Sequence, residues 1–346
     1  MILDNYDHQM GKSCRTVALR NLMARNGLEW KEDFLFGLAN GFNFSFALPS
    51  KSAESKYFKC LSPNLFQFEN FAENMGLEYQ VITQVDSGYQ IIEQILRFDD
   101  NPVLCEVSPE KYKKHLQVEG KFWDNLKLDV PVTSHITEVI GIEDGDVYFC
   151  ENYSREVFHV SKKIFSKARN IKTDSYLNPH HKIHYFMIPD GFERVNMKTV
   201  IKKSIKRNIR SYCDESNQRL GKRAFDLFIE SFPHIYEKYG ERLCKKSLLI
   251  TGSLIKYVSP GMFRKVYARF LEESANEIGE GSDINAIVNL LKKSDFLWNK
   301  YAAHLLNNGI SVCERMNGEK TAALLKQIKH AETEAVERMV EISESW

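Results

Sequence analysis

No stretch of this 346-residue chain stays apolar for the roughly 20 residues that a membrane span requires. Its opening run, Met1-Ile2-Leu3-Asp4-Asn5-Tyr6-Asp7, has neither a basic flank nor an apolar segment of signal-peptide length, so the expected location is the cytoplasm. An excess of one charge is also missing. Lys and Arg number 47 against 46 Asp and Glu, a formal net charge of +1, so no global field draws the protein to nucleic acid or to an anionic membrane. The cysteines are few: Cys14, Cys60, Cys105, Cys150, Cys213, Cys244 and Cys313. They are odd in number, widely spaced and without a Cys-x-x-Cys pair, which argues against a disulfide framework and against a structural zinc site. There is no Gly-rich phosphate loop, because Gly37 and Gly41 fit neither nucleotide pattern. The expectation is a protein with no metal and no redox cofactor. What is present is an ordinary globular composition, 43% hydrophobic and 27% charged, in a chain long enough for two domains.

Cys14 stands apart from the other cysteines. Cys60, Cys105 and Cys150 lie among apolar neighbours, as inert buried thiols do, whereas Cys14 follows the polar run Gln9-Met10-Gly11-Lys12-Ser13 and opens a helical pattern. A thiol in the first turn of a helix meets the positive end of the helix dipole and unpaired backbone N–H groups, and both favour the thiolate. Farther along, Ser134-His135-Ile136-Thr137-Glu138-Val139-Ile140-Gly141 puts a histidine at the head of an apolar strand. The next strand, Val147-Tyr148-Phe149-Cys150, runs into Glu151-Asn152. Strand alternation sets Val147, Phe149 and Glu151 on one face and Tyr148, Cys150 and Asn152 on the other. Either Glu151 or Asn152 can hold the His135 imidazole by accepting its Nδ1–H. A cysteine at a helix head, then a strand histidine, then an acid or amide on the next strand is the chain order of a papain-like site. An acyl-transfer site also needs donors for the developing oxyanion. The Cys14 backbone N–H is one; the Gln9 side-chain amide is a second candidate, with His8 competing for the role.

The periodicity divides the chain near Pro189-Asp190-Gly191. Before it, helices are expected at 14–26, 31–39, 64–75, 87–98 and 161–168, and strands at 41–47, 79–83, 102–107, 135–143, 147–150 and 182–188. Asp144-Gly145 is a hairpin signal. Residues 108–132 are irregular and include Tyr112, Phe122 and Trp123; a loop of that length usually covers a site. After the division nearly everything is helical: 196–216, 221–239, 241–255, 260–278, 282–308 and 319–344. The fold class expected is α+β, with a papain-like catalytic domain at 1–190 and a helical domain at 191–346. Two further clusters have plain readings. His180, His181 and His184 follow a Pro179 turn out of helical register and without a nearby carboxylate, a poor metal site. Lys202, Lys203, Lys206, Arg207 and Arg210 form a basic helix face, a solvated surface by default and otherwise a docking patch for an acidic partner.

The run Ser13-Cys14-Arg15-Thr16-Val17-Ala18-Leu19-Arg20-Asn21-Leu22, followed by Leu35-Phe36-Gly37-Leu38-Ala39-Asn40-Gly41-Phe42, resembles the N-terminal domain of the butirosin-biosynthesis acyltransferase family. That domain is papain-like and related to bacteriocin-leader peptidases. The helical half resembles the domain of unknown function that usually follows, on Pro260-Gly261-Met262-Phe263-Arg264-Lys265-Val266-Tyr267-Ala268-Arg269-Phe270-Leu271-Glu272-Glu273-Ser274-Ala275 with Trp298 downstream. The resemblance implies Cys14 as nucleophile and His135 as base, with Glu151 where the family carries Asp and Ser13 where it commonly carries His. It implies transfer of an acyl or aminoacyl group from a thioester donor such as an acyl carrier protein, through a Cys14 thioester, to a small-molecule amine in specialised metabolism. The same apparatus with water as acceptor is a cysteine peptidase or amidase. A non-catalytic binding or scaffold protein on the same frame is the reading from another class.

Overall fold

The computed structural model describes residues 1–47, 59–61, 67–83, 88–116, 135–171, 179–189, 191–192, 195–231, 234–279, 281–315 and 318–346. Ser134, Asp190 and most of the irregular stretch expected at 108–132 lie outside them. The elements in chain order are α1 (Cys14–Arg25), α2 (Glu32–Leu38), β1 (Ser45–Ala47), β2 (Lys59–Leu61), α3 (Gln67–Met75), β3 (Glu78–Thr83), α4 (Tyr89–Phe98) and β4 (Val103–Val107). There follow β5 (His135–Glu143), β6 (Asp146–Cys150), β7 (Val157–Ser161), α5 (Lys162–Arg169) and β8 (Lys182–Met187), then α6 (Met197–Cys213), α7 (Gly221–Ser231), α8 (Ile235–Ser253), α9 (Arg264–Ile278), α10 (Gly281–Arg315) and α11 (Gly318–Glu344). The chain is α+β. No helix among the described residues is long and apolar enough to cross a membrane.

Two compact units are formed, one from Met1–Glu32 with Met75–Arg194 and the other from Asp33–Asn74 with Val195–Trp346. The first is built on a six-stranded antiparallel sheet in the order β3-β8-β4-β5-β6-β7. β5 is buried along eight of its nine residues, because α1 packs on it and α4 also contacts it. A strand covered on both faces reads as a near-continuous apolar run, and Ile136, Val139, Ile140 and Ile142 supply it. Asp144 and Gly145, at φ of 50° and 86°, make the β5–β6 hairpin turn with both central residues left-handed. At Gly141 the β5–β6 register shifts, and Ile2 pairs with that glycine; a Cβ there would come within 2.7 Å of the Ile2 side chain. β7 lies outside the expected strands. Its alternation is real, with Phe158 and Val160 buried and Val157 and His159 exposed, but it is short and merges with the start of α5.

The second unit takes in residues 33–74, which the sequence pattern groups with the first domain. The reason is aromatic. The pattern predicts a half-buried strand over 41–47, yet only Ser45–Ala47 pairs as one, and Phe42, Phe44 and Phe46 are all fully buried. Phe42 stacks on Tyr212 and Tyr267 at 5.0 and 4.9 Å, Phe44 on Trp298 at 5.8 Å, and Phe46 meets Phe228 at 4.9 Å. Asn208 of α6 secures the same loop, accepting from Phe42 N at 3.0 Å and donating to Gly37 O at 3.1 Å. Two expected helices differ in their bounds. Gly261, Met262 and Phe263 all have left-handed φ, so Pro260–Phe263 is a tight turn before α9, and the helix expected over 221–239 ends at Ser231. At Gly261 a Cβ would fall 1.9 Å from Asp295 Oδ1. That turn aims Arg264 into the unit's centre, where Glu332 receives it.

Candidate active site

Cys14 is the first residue of α1, after Ser13 in extended conformation. Ser13 makes no side-chain cap, and a carboxylate does the equivalent work. Glu32 accepts from Lys12 N at 2.9 and 3.1 Å, from Ser13 N at 2.8 Å and from Thr16 Oγ1 at 3.1 Å. An anion at a helix N-terminus is favoured by the dipole and by backbone donors that have no partner within the helix. Gly11 must be glycine for this contact, since a Cβ would sit 2.4 Å from Glu32 Oε2 and 2.5 Å from Val17. The other side of the loop is tied to the end of β6: Gly11 N donates to Asn152 O at 2.8 Å and Asn152 Nδ2 donates to Gly11 O at 3.3 Å. The loop before the thiol is thus bonded to two separate stretches of the chain.

His135 heads β5 and Glu151 follows the last residue of β6. The pairing of Glu138 with Cys150 and Val139 with Phe149 brings the two to one face of the sheet, as alternation predicts. His135 Nε2 and Glu151 Oε2 are 2.5 Å apart, and Glu151 is completely buried. This is the opposite ring nitrogen from the one expected to meet the acid, so Nδ1 is not taken up by Glu151, and the His135 imidazole acts electrostatically on the Cys14 thiol. Cys14 itself remains partly exposed.

The electrostatics follow from this arrangement. Burial alone raises the Cys14 pKa, but the charge and hydrogen bond of His135, then Arg15 and the Ile136 backbone, more than reverse it and leave it lowered. Burial opposes charge on His135, yet Glu151 and Cys14 outweigh it and raise the imidazole to about 10. A lowered thiol beside a raised imidazole moves the pair toward thiolate and imidazolium. Neighbouring thiols lack such a partner: burial, with Glu138 and Glu151 nearby, drives Cys150 strongly upward, and Cys105 also rises on burial.

The other sequence candidates fall elsewhere. Asn152, the alternative to Glu151, holds the Gly11 loop. Gln9 is exposed, its amide 3.4 Å from Asp7 Oδ2, and its carbonyl takes hydrogen bonds from Arg20 and Asn21. It lines two surface cavities, of about 630 and 380 Å³, whose walls do not include Cys14. His8 is buried and committed: Nε2 donates to Glu151 O at 2.9 Å, while Nδ1 lies 3.0 Å from Asn21 Nδ2 and 3.4 Å from Glu138. His184 bonds Tyr79 at 2.6 Å and Glu106 at 3.2 Å, in a buried cluster that Arg15 joins at 3.1 Å. The basic face of α6 is engaged within its own unit. Lys203 donates to Glu73 O, Lys206 to Trp346 O at 3.1 Å, Arg207 pairs with Glu73, and Lys202 lies over the Trp346 ring. Glu32, Glu106, Glu138 and Tyr112 are not picked out by the sequence pattern as site residues. A carboxylate in the middle of an apolar strand, as Glu138 is, was the available signal.

Residues 13–112 match the family model described as "Butirosin biosynthesis protein H, N-terminal", and residues 165–339 match "Domain of unknown function (DUF4872)". Cys14 lies inside the first match, while His135 and Glu151 fall between the two. No curated protein matches the chain.

Proposed function

The chain belongs to the DUF4872 family and carries ahead of that domain one of the butirosin biosynthesis protein H N-terminal type, and from that premise we propose that it is a cysteine-dependent acyltransferase, or amide synthase, of papain-like design. At the family level the first match supports an acyltransferase-type role related to butirosin biosynthesis. The observation that carries the finer reading is the buried His135–Glu151 hydrogen bond together with a Cys14 thiol at the head of α1 that His135 lowers.

In this reading the Cys14 thiolate attacks the carbonyl carbon of a thioester donor, such as an acyl group on a carrier protein. Charge builds on the carbonyl oxygen, and the Cys14 backbone N–H at the helix head is the donor aimed at it. Collapse of the adduct breaks the donor C–S bond; the leaving thiolate takes the His135 proton and departs as a thiol. The acyl group is then on Cys14. An amine attacks this thioester, gives a proton to His135, and displaces Cys14 as thiolate, which restores the ion pair and releases the amide. Glu151 keeps the ring oriented and stabilises its charged form.

Intact-protein mass spectrometry after brief iodoacetamide treatment at pH 7 tests the pair. Cys14 should be alkylated first, with a rate that falls at least tenfold in His135→Ala. Labelling of Cys14 no faster than the other cysteines, and indifferent to His135, would favour the scaffold. With short acyl thioesters as donors, the wild type should gain one acyl mass on Cys14 and pass it to added amine. Conversion of all of it to free acid would make the protein a hydrolase.

A further inference from the structure

Glu151 has two oxygens, no exposure to water, and only one of them on His135. A buried carboxylate with an unsatisfied oxygen protonates or rotates, because desolvation disfavours its charged form and nothing fixes its side chain. The other oxygen, Oε1, accepts a hydrogen bond from the Tyr112 hydroxyl. Tyr112 is itself completely buried, between two short turns, Pro109–Lys111 and Lys113–His115. Its position is set from several sides. The ring meets Phe149 edge-on at 5.2 Å, Tyr112 N donates to Pro109 O at 3.1 Å, and His115 N donates to Tyr112 O at 2.7 Å. The start of this stretch is pinned to α5 by Ser108 N on Ala168 O at 2.9 Å.

We infer that Tyr112 is a positioning residue for the site: it holds Glu151 Oε1 so that Oε2 faces His135 Nε2, and the proposed Cys14 nucleophile depends on it through that chain. The inference rests on the functional reading above. The geometry gives the hydroxyl one role. A phenol that donates to a carboxylate in a dry site satisfies the carboxylate's second oxygen, locks its rotation and disfavours its protonation. Burial and the Glu151 charge hold the Tyr112 phenol well above its ordinary range, so it stays a donor across the neutral range. Among the described residues, several groups face this chain. His8 donates to the Glu151 carbonyl, Tyr153 lies 6.5 Å from the His135 ring, Arg15 is on the thiol side, and Cys150 with Glu138 is on the adjoining strands.

Tyr112→Phe keeps the ring on Phe149 and removes only the donor. The pH dependence of Cys14 alkylation by iodoacetamide is measured between pH 5 and 9 for wild type, Tyr112→Phe, Glu151→Gln and the double variant, with the unfolding midpoint of each recorded. The expected result is an acid edge of Cys14 reactivity shifted upward in Tyr112→Phe, with a three- to tenfold slower rate at pH 6. Glu151→Gln should move the edge the same way, and the double variant should move it no farther than the larger single change. A Tyr112→Phe profile that overlays the wild type would overturn the inference, as would additive shifts in the double variant. Should Tyr112→Phe fold poorly, 3-fluorotyrosine incorporation serves instead: the stronger donor should lower the acid edge in wild type and not in Glu151→Gln, and no difference between the two overturns the inference. The functional reading fails separately, if wild-type Cys14 shows no rate advantage that His135→Ala removes.

Discussion

Two carboxylates among the described residues, Glu332 and Glu151, are wholly buried beside a basic side chain, and they have opposite consequences. Glu332, at the centre of the helical unit, accepts from Arg264 Nε and Nη2 at 2.7 and 2.8 Å, from Trp298 and Ser294 at 2.8 Å each, and from Tyr212 at 2.9 Å. The guanidinium also donates to the Asn43 and Met262 carbonyls and lies 4.7 Å over the Phe42 ring. Glu151, in the sheet unit, is held by a histidine and a tyrosine. An arginine does not lose its proton in a protein, so the Glu332 cluster has one charge state and serves as a lock. An imidazole does lose its proton, and His135 has a thiol on its other side. What separates a structural ion pair from a proposed catalytic one is therefore not burial or hydrogen-bond quality, since both score highly on each. It is whether the cation can give up its proton to something that reacts.

Substitutions can break that comparison from either end. The largest effect is expected from Cys14→Ala, which should abolish acyl transfer, a loss of roughly a thousandfold or more as for other nucleophile deletions. Its unfolding midpoint should stay within a few degrees of wild type. Arg264→Leu should do the reverse. Stranding Glu332 without its cation should cost about 3–5 kcal/mol of stability, read from urea unfolding, while the Cys14 alkylation rate of the folded fraction is unchanged. Arg264→Lys tests the lock more finely: the charge remains, but a lysine cannot supply the paired Nε and Nη2 donors or stack on Phe42, and a loss of about 1–2 kcal/mol is expected. If Arg264→Lys matched wild type, charge alone would hold the cluster.

The sequence made one of these centres easier to read than the other. Cys14, His135 and Glu151 are polar residues placed where helical or strand pattern begins or ends, and alternation through Val147 and Phe149 put Glu151 on a definite face. Their candidacy and chain order were legible for that reason, with Asn152 left open beside Glu151. Which ring nitrogen meets Glu151 was not, because it depends on the rotamer at the strand head. Tyr112 could be seen only as an aromatic in an irregular stretch, since its hydroxyl finds Glu151 across a gap of 39 residues. In the helical unit the Pro260-to-Ala275 run was visible as a motif without a physical reason. The structure supplies one: Gly261 clears Asp295, three left-handed residues turn the chain, and Arg264 enters a site completed by Trp298. The aromatics at Phe42, Phe44 and Phe46 alternated as a half-buried strand would. Their full burial comes from partners far along the chain, Tyr212, Phe225 and Phe228 among them, which period alone cannot reveal.

The smallest expected effect is the pH dependence of stability, and it separates the two centres without removing either. His135 is raised to about 10 from an ordinary value near 6.5, so its contribution is whole below that ordinary value and is lost as pH rises through about 10. Cys14 is lowered, so its contribution is present above the ordinary thiol value near 8.5 and is lost as pH falls through its folded value. A folded ion pair and an unfolded neutral thiol with imidazole each hold one proton between about pH 6.5 and 8.5. Stability from this pair should therefore be level across that window and decline on both sides. Below it the unfolded chain binds the extra proton, and above it the unfolded chain has already lost one. Each tenfold change in proton affinity on folding is worth about 1.4 kcal/mol, so the alkaline shoulder, between the ordinary thiol value near 8.5 and the imidazole's about 10, should be about 2 kcal/mol. Subtracting the urea midpoints of Cys14→Ser from those of wild type between pH 5 and 10 should give a broad plateau with two falling edges, whereas the difference between wild type and Arg264→Lys should be flat. A flat difference for Cys14→Ser as well would mean that the thiol and imidazole rest as a neutral pair, and the contrast between the two buried carboxylates would then lie in chemistry that begins only when substrate binds.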